Sequence, residues 1–64
     1  MNYREVTKIL SDHGCTFVRS GKGSHMVWKS PITGNKFPVA NHGGKDIPRR
    51  TLEKIEKQSG IKLL

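Results

Sequence analysis

Two apolar stripes at helical spacing, one near each end of a 64-residue chain, enclose three strand-forming runs, and this order leaves few folds open. Near the start, Tyr3, Val6, Ile9 and Leu10 fall on one face of a helix. Asn2 is placed to cap it, and Glu5 three residues on completes a capping box. Gly14 suits the left-handed position that ends a helix, so the spacing predicts one from Tyr3 to His13. Near the other end, Pro48 suits a first helical turn, and Leu52, Ile55 and Ser59 line one side. Glu53 and Lys57 form an exposed pair four apart, while Gly60 suits the stop, with Ile61 folding back as in a Schellman ending.

Between the stripes, Cys15 to Arg19 favours a strand, and Ser20-Gly21-Lys22-Gly23 reads as a glycine-rich turn into a second strand, Ser24 to Lys29. Ser30 to Asn35 is a longer connection. Lys36 to Ala40 forms a third strand, whose Pro38 cannot donate to a ladder and belongs on a sheet edge. Asn41 to Asp46 is a loop. Two one-sided helices can bury their stripes together only against one face of such a sheet, leaving the other open. The expected fold is α+β: a two-layer αβββα sandwich, with a three-stranded antiparallel sheet and both helices on one face, residues 1–64 forming one domain. The order matches a shortened double-stranded-RNA-binding-domain fold, which does not by itself settle function.

A chain this short buries only about 60% of the surface its unfolded form exposes, so chemistry must sit on an open face or in a shallow groove. Twelve Lys and Arg against five Asp and Glu give a formal charge of +7, spread from Arg4 to Lys62. A polyanion is the expected partner. Cys15 is the single cysteine, which excludes an internal disulfide and a thiolate metal cluster and fits a reducing compartment. With no apolar run of signal-peptide or membrane-spanning length, a cytoplasmic location is expected, with no membrane partner.

Gly23-Ser24-His25 stands out because a histidine at a strand start after a glycine turn is held by backbone yet reachable by a ligand. If the hairpin closes with Arg19 opposite Ser24, then Cys15, Phe17, Met26 and Trp28 share one face and Thr16, Val18, His25 and Val27 the other. The first set is the more apolar and should face the helices, turning His25 to the open face; a one-residue slip reverses this. Imidazole, with an ordinary pKa of about 6.5, can both take and give a proton near neutrality. RNA cleavage by 2′-hydroxyl attack needs a base, an acid and cations on the phosphate, and Arg19, Lys22 and Lys29 lie near His25 along the hairpin. Taken alone, a strand histidine is more often a surface or hydrogen-bonded bystander, and its sequence context does not overturn that.

The remaining candidates are weaker. His42, in a glycine loop, could bind phosphate, supply a second acid–base group or be a solvated loop residue. His13 suits the negative pole of the first helix, and Cys15 a small buried apolar position. Three scattered histidines and one cysteine show no zinc spacing, so neither a metal nor another cofactor is indicated. Arg49, Arg50, Lys54 and Lys57 put positive charge on the second helix, for phosphate, a partner or solvent.

Gly14-Cys15-Thr16-Phe17-Val18-Arg19, then Gly23-Ser24-His25 with Trp28 three beyond, resembles the opening half of the HicA (YcfA-like) toxin family. Pro38 to Pro48, Thr51 to Ile55 and Gln58 to Ile61 are similar to that family's loop and closing helix. The resemblance covers nearly the whole chain in order. It implies the toxin of a type II toxin–antitoxin pair: a metal-independent endoribonuclease that cuts mRNA and is inhibited by a HicB-type antitoxin covering its active face. His25 maps onto the catalytic position with Ser24 beside it, and His42 onto the family's second common histidine. Arg19, Lys22, Lys29, Lys45, Arg49 and Arg50 are then the expected phosphate contacts. Cys15 stands where the family usually has an aromatic residue, and the turn before Gly23 lacks its usual longer polar side chains. The competing expectations are a non-catalytic RNA-binding module of the same fold and a structural subunit for an acidic protein.

Overall fold

A computed structural model describes all 64 residues and has the expected order: α1 (Tyr3–Asp12), β1 (Thr16–Ser20), β2 (His25–Lys29), β3 (Lys36–Ala40) and α2 (Arg49–Ser59). The capping box at Asn2 is reciprocal. Glu5 N donates to Asn2 Oδ1 at 2.9 Å, and Asn2 N donates to Glu5 Oε1 at 3.0 Å, satisfying two of the orphan groups that start α1. Beyond its end, Gly14 takes φ 91°, and the His13 ring lies 2.8 Å from the Ile9 carbonyl. Pro48 stands at the cap of α2 and not inside its first turn. At the other end Gly60, φ 74°, donates to Glu56 O at 2.8 Å. This is the simpler left-handed cap and not the expected Schellman pair, because Ile61 N bonds the Ser59 hydroxyl instead. Ile61 still folds back into the core.

The strands form an antiparallel sheet in the order β1-β2-β3. The hairpin register differs from the one expected: Phe17 lies opposite Trp28 in place of Met26, and Arg19 opposite Val27 in place of Ser24. Residues 21–24 form a longer turn, and the register shifts between Phe17 and Arg19, so Val18 is the extra residue of a bulge. Phe17 keeps its expected face with Trp28, since the pairing there moves by two residues and the alternation has period two. Beyond the bulge the faces exchange. Arg19, which a regular strand would turn toward the helices, joins Val27 on the open face, while the Ser20 hydroxyl reaches Met26 Sδ at 3.7 Å on the helix side.

One apolar cluster joins both helical stripes to the covered sheet face: Val6 and Leu10 of α1, Leu52 and Ile55 of α2, and Trp28, Phe37 and Val39 between them. Removing a side chain of this kind from water contributes about 1.5–3 kcal/mol. Trp28 Nε1 donates to the Tyr3 hydroxyl at 3.1 Å, so its buried N–H is satisfied. Cys15 is buried as expected, and burial pushes its thiol pKa up against a weaker opposing effect of a hydrogen bond with Ser30. Every residue of β1 is exposed, including half of Phe17, which meets Trp28 edge-on with ring centroids 5.9 Å apart.

The β2–β3 connection fixes where α2 ends. Ser30 Oγ donates to Ser59 O at 2.6 Å, Thr33 Oγ1 to Gln58 O at 2.7 Å and Asn35 Nδ2 to the same carbonyl at 3.2 Å. These bonds satisfy carbonyls that the end of a helix leaves without partners. They hold α2 along β3, and that placement creates the groove described next.

Candidate active site

The open face of the sheet follows from the register. His25, Val27 and Lys29 of β2 share it with Ala40, Pro38 and Lys36, their direct partners on β3, and with Arg19 of β1 opposite Val27. His25 is exposed at the first position of β2, beside Ala40. Arg19 is its diagonal neighbour, at a separation of roughly 7–8 Å that a long side chain spans. The histidine thus stands where the sequence places it, although the register that puts it there is different.

Three backbone bonds hold this strand start. Gly21 N donates to His25 O at 2.7 Å, His25 N to Lys22 O at 3.2 Å, and Asn41 N to Ser24 O at 2.8 Å. A side chain at Gly21 would force this strand start to shift, because a Cβ there would lie 2.9 Å from His25 O. Gly23 takes φ 63°, the left-handed turn that brings the chain back into β2. The glycines therefore set the position of the His25 backbone by close approach and by turn geometry.

His25 opens onto a cavity of about 270 Å³ between the β3 edge of the sheet and α2. Pro38 and Ala40 form its sheet wall. Thr51, Lys54, Ile55 and Gln58 form the helix wall, a stripe at the i, i+3, i+4, i+7 positions of one helix face. Carboxylates stand elsewhere: on a 3.6-residue helix Glu53 and Glu56 project about 150° from the centre of that stripe. Glu56 is otherwise engaged. The backbone N–H groups of Leu64 and Leu63, at 2.8 and 2.6 Å, hold its carboxyl below the usual range, despite a small opposing desolvation.

The single ion pair of the molecule joins the Met1 ammonium to Asp46 at 3.5 Å, so no lysine or arginine side chain lies within ion-pair distance of a carboxylate, and Glu53 and Lys57 do not pair. Lys29 and Lys36 stand directly opposite each other on the open face, a pairing of like charges that weakens a sheet unless an anion lies over it. With Arg19 and Lys54 they give the His25 side of the molecule a positive field. No three His, Cys, Asp or Glu side chains come together in an arrangement suited to a metal.

Of the residues singled out from sequence, His25, Ser24, Arg19 and Lys22 come together around the hairpin turn, while Lys29 lies at the far end of β2. His42 is exposed two residues beyond Ala40, at the same end of the sheet as His25, and accepts Lys45 N at 3.4 Å through its carbonyl. Lys45, in the same loop, is exposed. Arg49 and Arg50 open α2 without lining the groove. Sequence reasoning missed Lys36 and Gln58 altogether, and left Lys54 among the general charge of the helix. Pairing the last two strands would have found Lys36, whereas the groove residues are joined only by the tertiary fold.

The site thus sits in an αβββα domain with a basic open sheet face and a histidine held by glycines at the mouth of a groove. A family model described as HicA toxin of bacterial toxin-antitoxin matches residues 3–61, and the chain belongs to that family. No curated protein and no solved structure matches it. Membership makes the chain the toxin of such a pair and implies an antitoxin as partner. No helix is long and apolar enough to cross a membrane.

Proposed function

We propose that the chain, acting as one domain over residues 1–64, is a metal-independent endoribonuclease that cuts mRNA in the cytoplasm and is neutralised by a HicB-type antitoxin seated on the open face. The observation that carries this reading is His25: an exposed imidazole at a backbone-fixed position, facing a groove that contains a lysine and no carboxylate. An imidazole there can take the proton of a ribose 2′-hydroxyl as the oxygen attacks the adjacent phosphorus, or give one to the departing 5′-oxygen. His42 and Ser24, at the same end of the sheet, are the groups available for the complementary transfer. Arg19 and Lys22 beside His25 stabilise charge on the phosphoryl oxygens, and Lys29, Lys45, Arg49 and Arg50 hold the strand on either side. An antitoxin that covers this face must offer acidic groups to its unpaired cations.

The test uses the purified chain, labelled RNA and a chelator. Cleavage should persist in chelator and leave a 2′,3′-cyclic phosphate or 3′-phosphate on one fragment and a 5′-hydroxyl on the other. An RNA with deoxyribose just 5′ of the scissile phosphate should bind and resist cutting. His25→Ala should retain the folded circular-dichroism spectrum and lose cleavage. 5′-Phosphate products would show that water attacks, and RNA binding without any cutting would leave a non-catalytic binding module.

A further inference from the structure

The groove beside His25 is built unlike the rest of the basic surface. Its walls carry apolar groups on both sides, the Pro38 ring and Ala40 on one and the buried Ile55 on the other. Its rim is polar. Gln58 and Lys54 are exposed there, and neither side chain makes a hydrogen bond or ion pair within the protein; the bonds to Gln58 end on its backbone carbonyl. At about 270 Å³ the cavity falls just short of the ~300–1,000 Å³ of drug-sized pockets and matches a single nucleotide unit better than a folded ligand.

Resting on the ribonuclease reading of the same face, we propose that this groove is a base-reading subsite for the nucleotide adjoining the scissile phosphate. A nucleobase is flat and apolar on its faces and carries donors and acceptors on its edge, which is the pattern of the groove. Pro38 and Ala40 receive the face of the base. The Gln58 amide, with one acceptor and two donors free, pairs with its edge, as side-chain amides do with unstacked bases. Lys54, one helical turn before Gln58, holds the phosphate of that nucleotide and turns its ribose toward His25. Glu53 and Glu56 project to other sides of α2, so no carboxylate repels the phosphate.

A pool of RNAs randomised around the cut is digested by the wild type, by Gln58→Ala and by Lys54→Ala, and the cleavage positions are sequenced. Alanine suits an exposed helix position, so both variants should fold. The wild type should prefer certain bases at one position next to the cut by roughly tenfold or more, the discrimination of a paired amide. In Gln58→Ala that preference should fall below about twofold as cutting at the preferred sites drops. Lys54→Ala should cut more slowly at all sites with the preference kept. An unchanged profile in Gln58→Ala, or no base preference beside the cut in the wild type, overturns the subsite. Should the protein cut no RNA, the ribonuclease reading fails separately, and the subsite is then decided by amide chemical shifts on titrating 2′-deoxy dinucleotides. Shifts centred on Ala40, Thr51 and Gln58 support it, and shifts confined to other surfaces sink it.

Discussion

Replacing Gly21 by alanine tests whether the close approach under His25 matters to chemistry. The new Cβ would lie 2.9 Å from the His25 carbonyl oxygen. Relaxed carbon–oxygen contacts begin near ~3.3 Å, so that carbonyl must retreat by about 0.4 Å. The Gly21 N–H bond to it would lengthen from 2.7 Å to about 3.1 Å, weaker but still a hydrogen bond. Overpacking of this kind costs about 1–3 kcal/mol, and the stiffer unfolded chain offsets about 0.4–1 of it. At roughly 0.05–0.15 kcal/mol per residue the chain has about 3–10 kcal/mol of stability, so the variant should remain largely folded. Displacing a reacting group by ~1 Å can cost about a hundredfold in rate, which scales to roughly five- to tenfold for a shift of this size. The assay is single-turnover cleavage of labelled RNA at a temperature where circular dichroism shows the folded state. Ile47→Val is the control: its side chain is buried in the core, its expected loss is about 0.5–1.5 kcal/mol, and it leaves the hairpin untouched. Gly21→Ala should cut five- to tenfold more slowly than this control. Equal rates for the two folded variants would show that the glycine contact does not position His25.

Three other outcomes follow from the charges and the core. RNA affinity should fall steeply with salt, each phosphate contact adding about 0.7–0.9 to the slope of log affinity against log salt, and a flat response would refute the phosphate contacts. Glu56, held below the usual carboxylate range by the N–H groups of Leu63 and Leu64, contributes stability that is present above the ordinary carboxyl pKa and lost as pH falls through its lower folded value. Glu56→Gln should therefore melt below the wild type at pH 7, with the two melting temperatures converging in acid; a gap that persists in acid would refute this. The buried Cys15 thiol, with its pKa pushed up, should resist alkylation at pH 8 until the protein is denatured, and rapid labelling of the folded protein would contradict its burial.

The parts of the fold legible in the sequence are those set by neighbours along the chain. The capping box of Asn2 and Glu5, the glycine after α1 and the limits of β3 all depend on residues within a few positions of one another, and the folded chain has all three. The hairpin register was not legible, because the turn through residues 21–24 is longer than a tight turn and the bulge at Val18 has no local signature. His25 reached its expected face because the pairing opposite Phe17 moved by an even number of residues. Arg19 changed face because the bulge added an odd one. A prediction of faces from alternation thus holds only as far as the first bulge, and here the bulge turns a cation toward the histidine.

The groove is further from the sequence still. His25 and the Lys54–Gln58 edge of α2 belong to separate elements, and they meet because Ser30, Thr33 and Asn35 bind the last carbonyls of α2 and hold the helix beside β3. None of those three residues touches the groove, and each looks like an ordinary loop residue in the sequence. Gly60 belongs to the same arrangement: a Cβ there would press to 3.1 Å against Ile32 and Thr33, the segment that binds the end of the helix. The position of the helix wall relative to His25 is therefore set from the far side of the sheet connection. The histidine supplies the chemistry and can be read from a short motif, whereas what lies opposite it is decided by the loop that secures α2.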